Sequence, residues 1–210
     1  MLFGRKTLQL LDPADTLPGR DQSIMSPEPH AVHGRAIVPP WPDGMRELVL
    51  GMGCFWGAER IYWEMEGVWT TAVGYGGGTT PNPTYAEVCS GRTNHAEVVL
   101  AVYDPRTVTF EELLVPFWEQ HDPTTPMRQG NDVGTQYRSQ IQVADDDERA
   151  IAEASRDRYQ ERLTAAGHGD IATEIVDREP FYYAEAEHQQ YLHHHPGGYC
   201  NHGLCQVRFA

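Results

Sequence analysis

From Arg46 onward the apolar positions repeat with the periods that strands and helices require, and before Asp43 they do not. Leu48, Val49 and Leu50 form a short apolar run with a glycine turn behind it, which predicts a buried strand. Ala58, Ile61, Tyr62 and Met65 then fall at i, i+3, i+4 and i+7, and Gly67 stands where a helix cap is expected. Residues 51–57 are therefore the turn between strand and helix.

Residues 68–75 read as a second strand, ending in Gly76-Gly77-Gly78 and the Pro81-Asn82-Pro83 turn. Residues 96–103 are apolar on both faces except at Glu97, so this strand is expected to be central. The next helix opens with a capping box, Thr109 and Glu112, and presents Phe110, Leu113, Leu114, Phe117 and Trp118 on one face. Pro116 inside it predicts a kink. Residues 130–135 read as loop, 138–143 as strand, 145–166 as a surface helix closed by Gly167, 172–176 as strand, and 184–194 as a last short helix stopped by Pro196. Strands interleaved with helices give a mixed α/β or α+β domain with the sheet order open. The organisation expected is an N-terminal arm over 1–43, a domain over 44–195, and a mobile Gly-rich tail over 196–210.

Composition narrows the class. The chain has 210 residues, 40% hydrophobic and 22% charged, which suits one folded core and excludes a disordered or fibrous protein. A net charge of -14 with no Lys/Arg-rich stretch argues against nucleic acid as a partner. The apolar run after the first residues stops at Asp12-Pro13, too short for a signal-peptide core, and no later run approaches the roughly 20 apolar residues of a membrane span. A soluble, cytoplasmic protein is the expectation. Its four cysteines then point to thiol chemistry or metal binding more than to structural disulfides.

Cys54 lies at the start of a predicted helix, where amides and the helix dipole favour a nucleophilic thiolate. A buried structural thiol is the competing reading. Phe55 and Trp56 beside it suit the grip of an apolar substrate group, or they are core. Glu97 is either a buried carboxyl, with a raised pKa and a proton to donate, or an exposed strand end paired with a cation. Tyr85 and Tyr137 could donate phenolic hydrogen bonds to a developing oxyanion, or be surface tyrosines. Asp132 could orient a site group or cap a turn. In the tail, Cys200 and Cys205 lie among His193, His194, His195 and His202. This is either a zinc site, for which the Cys-x4-Cys spacing is weak, or a pair of mobile thiols able to condense with a sulfenic acid on Cys54.

Taken in order, Gly53-Cys54-Phe55-Trp56-Gly57, Thr80-Pro81-Asn82-Pro83-Thr84-Tyr85, Val88-Cys89-Ser90-Gly91, His95-Ala96-Glu97, His121-Asp122-Pro123, Gly130-Asn131-Asp132-Val133-Gly134-Thr135-Gln136-Tyr137-Arg138-Ser139 and His188-Gln189-Gln190-Tyr191-Leu192 resemble the motifs of the A-class peptide methionine sulfoxide reductases. The resemblance runs from about Arg46 to Cys200. It implies an α+β, two-layer sandwich with a ferredoxin-like core, a mixed sheet and coil-rich termini, acting as a monomer without metal or cofactor. The substrate it implies is the S epimer of methionine sulfoxide, free or in proteins.

By the same resemblance Cys54 attacks the sulfoxide sulfur, Glu97 supplies the proton, and Tyr85 and Tyr137 bond the oxygen. Phe55 and Trp56 hold the methyl group, and Asp132 contacts the substrate backbone. The sulfenic acid left on Cys54 is resolved by Cys200, and Cys205 relays the disulfide to thioredoxin. The linker between those two cysteines, Asn201-His202-Gly203-Leu204, is shorter than is usual in the family, so the order of relay is left open. Cys89 reads as a packed thiol. The rival readings are a Cys-His-Asp acyl transferase or hydrolase using His95, His121 or His188 as base, and a zinc-binding interaction module on the tail.

Overall fold

The computed structural model describes residues 8–26, 28–203 and 207–209, and the architecture is that of an α+β fold. Its strands are β1 (Arg46–Met52), β2 (Val68–Gly76), β3 (Ala96–Tyr103), β4 (Arg128–Gln129), β5 (Asp132–Val133), β6 (Ser139–Val143), β7 (Glu174–Asp177) and β8 (Tyr182–Tyr183). Its helices are α1 (Phe55–Trp63), α2 (Tyr85–Cys89), α3 (Phe110–Gln120), α4 (Asp146–Ala165) and α5 (Tyr191–His194). Six strands form one mixed sheet in the order β7-β6-β1-β3-β2-β8, in which only β6 and β7 run parallel, and β4 and β5 form a small separate hairpin.

The two-sided apolar pattern of β3 has a direct cause. All eight of its residues are buried, because it lies between β1 and β2 and both faces of the sheet are covered. Side chains alternate along a strand, so Val99, Ala101 and Tyr103 join the helix side, with Leu48, Leu50, Tyr62, Leu113, Phe117 and Tyr159. Val98, Leu100 and Val102 face the other way and meet Ile37, with Met25, Val38 and Trp41 packed beside them. That second cover is the N-terminal arm. The arm lacks periodicity because it supplies single apolar residues to a sheet instead of a face of its own.

Helix α3 has both halves of its capping box and runs without a break through Pro116. Helix α2 forms where no helix was expected, around a second capping box between Thr84 and Glu87. The single helix expected over 184–194 is divided into a 3-10 turn, Ala186–His188, and α5, separated by Gln189 and by Gln190 at φ 47°. The physical reason lies in α1: the Glu59 carboxylate accepts the Gln190 amide at 2.8 Å and its side-chain nitrogen at 2.7 Å, which takes that amide out of any continuous helix.

The last described residues are pinned. Phe209 is buried against Tyr159, Arg158 lies 4.2 Å over its ring, and its amide donates to Glu119. Cys205 lies outside the described residues.

Candidate active site

Register places the site. β1 and β3 are antiparallel with Leu50 opposite Val99, so the end of β1 emerges beside the start of β3. There the chain turns through Gly53 at φ +94°, where a side chain would strike Gln129 at 2.5 Å, and enters α1 with Cys54 as its N-cap. Glu97 shares the face of Val99 and Ala101, is 2% exposed, and its Oε2 accepts the Phe55 amide at 3.1 Å. It is thus a buried carboxyl and not an exposed strand end. Cys54 and Glu97 meet at the first turn of α1.

The Cys54 thiol does not titrate as its helix position alone suggests. The Trp56 and Gly57 amides do donate to its sulfur and lower its pKa, but burial, and after it the charge on Glu97, outweigh them and push the thiol up. The expectation of a standing thiolate is corrected accordingly: a helix N-terminus lowers a thiol's pKa, but here Cys54 is only 6% exposed and a carboxylate is its near neighbour.

Tyr85 and Tyr137 both gather near Glu97. Burial first, and then the Glu97 charge, push each phenol above its ordinary range, so both keep their proton and remain donors. Tyr85 opens α2, whose first amide donates to Glu185 Oε1 at 2.8 Å, while Tyr75 donates to Glu185 Oε2 at 2.8 Å. Glu185 thereby sets the position of Tyr85. Cys89, half-buried at the end of α2, is hydrogen-bonded to the Tyr85 hydroxyl, a more specific place than that of a packing thiol.

Phe55 and Trp56 form one wall with His188 and Tyr191, whose place beside them the sequence did not indicate. Trp56 stacks on Tyr191 with ring centroids 4.0 Å apart and donates its indole N–H to His188 Nδ1 at 3.3 Å. His188 in turn lies 4.5 Å from Tyr85 and 5.5 Å from Phe55, ring to ring. The signal for these partners was present in the chain as His188 and Tyr191, one helical turn apart, but nothing local says which aromatic they face.

Asp132, in the β4-β5 hairpin, is engaged by the tail: Asn201 Nδ2 donates to its Oδ2 at 2.8 Å and to Gln129 O at 3.0 Å. His202 Nε2 bonds the Met52 carbonyl at 3.1 Å, which leaves Nδ1 facing Cys200 Sγ at 3.9 Å. Both groups occupy the space above Gly57, where a Cβ would come within 2.3 Å of His202 Nδ1 and 2.7 Å of Cys200 Sγ. The tail thiol is therefore docked on the same helix turn that presents Cys54.

The rival readings lose their geometry. His95 Nε2 bonds Thr80 O, His121 bonds Phe117 O and Ser139 Oγ, and His188 Nδ1 accepts from Trp56, so each histidine is engaged away from the Cys54 sulfur. Burial lowers the pKa of His95 and of His121 to about 4. Among the described residues no group of three or more His, Cys, Asp or Glu side chains is placed to hold a metal ion. His193, His194 and His195 point to solvent while His202 turns inward.

A buried thiol at a helix start, beside a buried carboxyl, two protonated phenols, an aromatic wall and a docked second thiol, defines a cysteine-dependent oxidoreductase. A family model described as peptide methionine sulfoxide reductase matches residues 46–208, and the chain belongs to that family. Its activity is the reduction of methionine sulfoxide. The chain is 60% identical, over 93% of its length and 91% of the relative's, to the peptide methionine sulfoxide reductase MsrA of Azotobacter vinelandii. The solved structure of methionine sulfoxide reductase A of Corynebacterium diphtheriae superposes with a TM-score of 0.83 at 47% identity, covering 91% of this chain and 93% of that one. Mxr1 from Saccharomyces cerevisiae, solved in complex with Trx2, matches with a TM-score of 0.50 at 25% identity, covering 79% of this chain and 93% of that one.

Proposed function

We propose that Cys54 is the nucleophile in reduction of the S epimer of methionine sulfoxide, and that Glu97 is its proton donor. The observation that carries this reading is their meeting at the first turn of α1, where Glu97 holds the Phe55 amide and the next two amides hold the Cys54 sulfur. Because the Glu97 charge opposes ionisation of the thiol, the reactive form carries one proton for the pair, on Glu97, with Cys54 as thiolate. The thiolate forms a bond to the sulfoxide sulfur while the oxygen takes the Glu97 proton and hydrogen bonds from Tyr85 and Tyr137. The oxygen then passes to Cys54, giving the sulfenic acid, and methionine leaves with its sulfur reduced by two electrons. Phe55 and Trp56 hold the methyl group, and Asp132 receives the substrate backbone.

Cys200 attacks the sulfenic sulfur, its proton leaves with the hydroxyl as water, and a Cys54–Cys200 disulfide results. The docking of Cys200 above Gly57 supports this step. Cys205 exchanges into that disulfide, and a thioredoxin reduces it. The Trx2 complex of Mxr1 supports the reductant. No helix among the described residues is long and apolar enough to cross a membrane, and a reducing compartment, the cytoplasm, suits such a reductant.

Mass spectrometry of the enzyme reacted with a methionine sulfoxide peptide in the absence of reductant tests the scheme. A Cys54–Cys200 linkage and its Cys205 exchange product are expected. A stoichiometric methionine yield with no disulfide to Cys54 would remove the resolving step.

A further inference from the structure

The arm precedes the family-matched residues 46–208, yet it is built into a buried chain of polar side chains. His30 is 1% exposed, and its Nδ1 accepts the amides of Val32 at 3.2 Å and His33 at 3.1 Å. The ring proton therefore sits on Nε2, which donates to Thr71 Oγ1 at 2.9 Å. Thr71 passes its own proton to Glu59 Oε1 at 3.0 Å. Glu59, fully buried on α1, also accepts both the amide and the side chain of Gln190, whose Oε1 returns to the arm by accepting the Ala31 amide at 3.1 Å. The circuit closes arm to strand to helix to turn and back to arm, with its donors converging on one carboxylate.

Its position gives it a task. Glu59 stands one helical turn beyond Trp56, and Gln190 stands between His188 and Tyr191, the two residues that bear on Trp56. A single carboxylate thus ties the helix that carries Trp56 to the turn that carries the aromatics on Trp56. Gln189 adds to the hold, clasping the amide and the carbonyl of Val73 in β2. None of these groups reaches the reacting atoms.

We propose that Glu59 is a positioning residue for the aromatic wall that receives the substrate methyl group, and that the arm, through His30, holds Glu59 in register. The inference rests on the proposed role of Trp56. Loosening the circuit lets Trp56 and Tyr191 part, which widens the wall without touching Cys54 or Glu97. The cost falls on substrate binding and on discrimination by size, and not on the chemical step.

The test is single-turnover formation of the thioether product, N-acetylmethionine from N-acetylmethionine sulfoxide and N-acetylethionine from its S-ethyl homologue, over a range of sulfoxide concentrations, with E59Q, H30A and H30Q. Gln at position 59 sets a donor against the Gln190 donors, whereas H30A leaves Glu59 in place and removes the imidazole, with its donor to Thr71 and its acceptor for the Val32 and His33 amides, so the second variant decides if the first does not fold. Loss of one buried hydrogen bond predicts an increase of about five- to tenfold in the concentration for half-maximal rate. The maximal rate should stay within about twofold and the methyl-over-ethyl preference should fall, with both restored in H30Q, whose amide can reach Thr71. Folded variants with wild-type concentration dependence and wild-type methyl preference would overturn the proposal. A wild-type enzyme that forms no methionine would instead overturn the mechanism on which it rests.

Discussion

The acid role of Glu97 makes a prediction with two signs. Glu97→Gln removes a charge and a transferable proton but keeps an oxygen able to accept the Phe55 amide, now 3.1 Å from the carboxylate, so the packing of a side chain only 2% exposed is preserved. Losing a general acid slows a chemical step by about 10²- to 10⁴-fold. Losing the charge acts on Cys54 in the opposite direction. For a thiolate and a carboxylate on the order of 5 Å apart at an effective dielectric constant of about 20, the repulsion is about 3 kcal/mol, or about two pKa units. The thiolate population at a fixed pH below the thiol's pKa should therefore rise by up to about a hundredfold.

Rapid-quench measurement of methionine in a single turnover reads the loss of the acid, and iodoacetamide labelling of Cys54, followed by mass spectrometry, reads the gain in thiolate. The variant should label faster and reduce more slowly. If methionine forms at the wild-type rate, Glu97 is not the acid. If labelling and reduction slow together, the substitution has disturbed the site and the thiol is not held up by the Glu97 charge.

Three other outcomes follow from the same geometry. Gly57→Ala places a methyl group 2.3 Å from His202 Nδ1 and 2.7 Å from Cys200 Sγ; α1 should gain up to about 1 kcal/mol from the lost glycine while Cys54–Cys200 disulfide formation slows at least about tenfold, and an unchanged disulfide rate in rapid-quench gels would contradict the docked position. Cys200→Ser should still release one methionine per enzyme in the absence of reductant but stop turnover with thioredoxin, and sustained turnover would assign resolution to another thiol. Burial raises the Glu59 carboxyl to about 7 from its ordinary 4.5. A raised carboxyl gives stability that is fully present below pH 4.5 and is lost as pH rises through 7, so wild-type stability relative to E59Q should fall by roughly 3 kcal/mol between those limits. Urea unfolding at pH 5, 6 and 8 should show that trend, and a pH-independent difference would show that Glu59 does not titrate in this window.

The main strands and helices were legible because each carries its own signal. The β3 pattern, the Thr109 to Glu112 capping box and the α1 repeat are local, and they recur in the structure within a residue or two. What escaped was set by distant partners. The break at Gln190 depends on Glu59, 131 residues away in sequence, and α2 is too short for periodicity although its Thr84 to Glu87 capping box was readable. Cys54 was legible as a helix-start cysteine, but the direction of its pKa shift was not, because burial and Glu97 belong to the fold and not to the segment. The aromatic wall was half legible for the same reason: Phe55 and Trp56 adjoin the cysteine, whereas His188 arrives by way of the Ala186–His188 turn and Tyr191 by way of α5.

The bond from Asn201 to Asp132 has a thermodynamic consequence. Asp132 Oδ2 holds the tail at 2.8 Å, so any ligand that claims that oxygen competes with the segment bearing Cys200. Linkage makes the competition reciprocal: a ligand that loosens the tail by a given factor is itself bound more weakly by that factor while the tail is seated. With the roles proposed above for Asp132 and Cys200, filling of the pocket and seating of the tail thiol would take turns at one carboxylate, and departure of the repaired side chain would let the thiol settle.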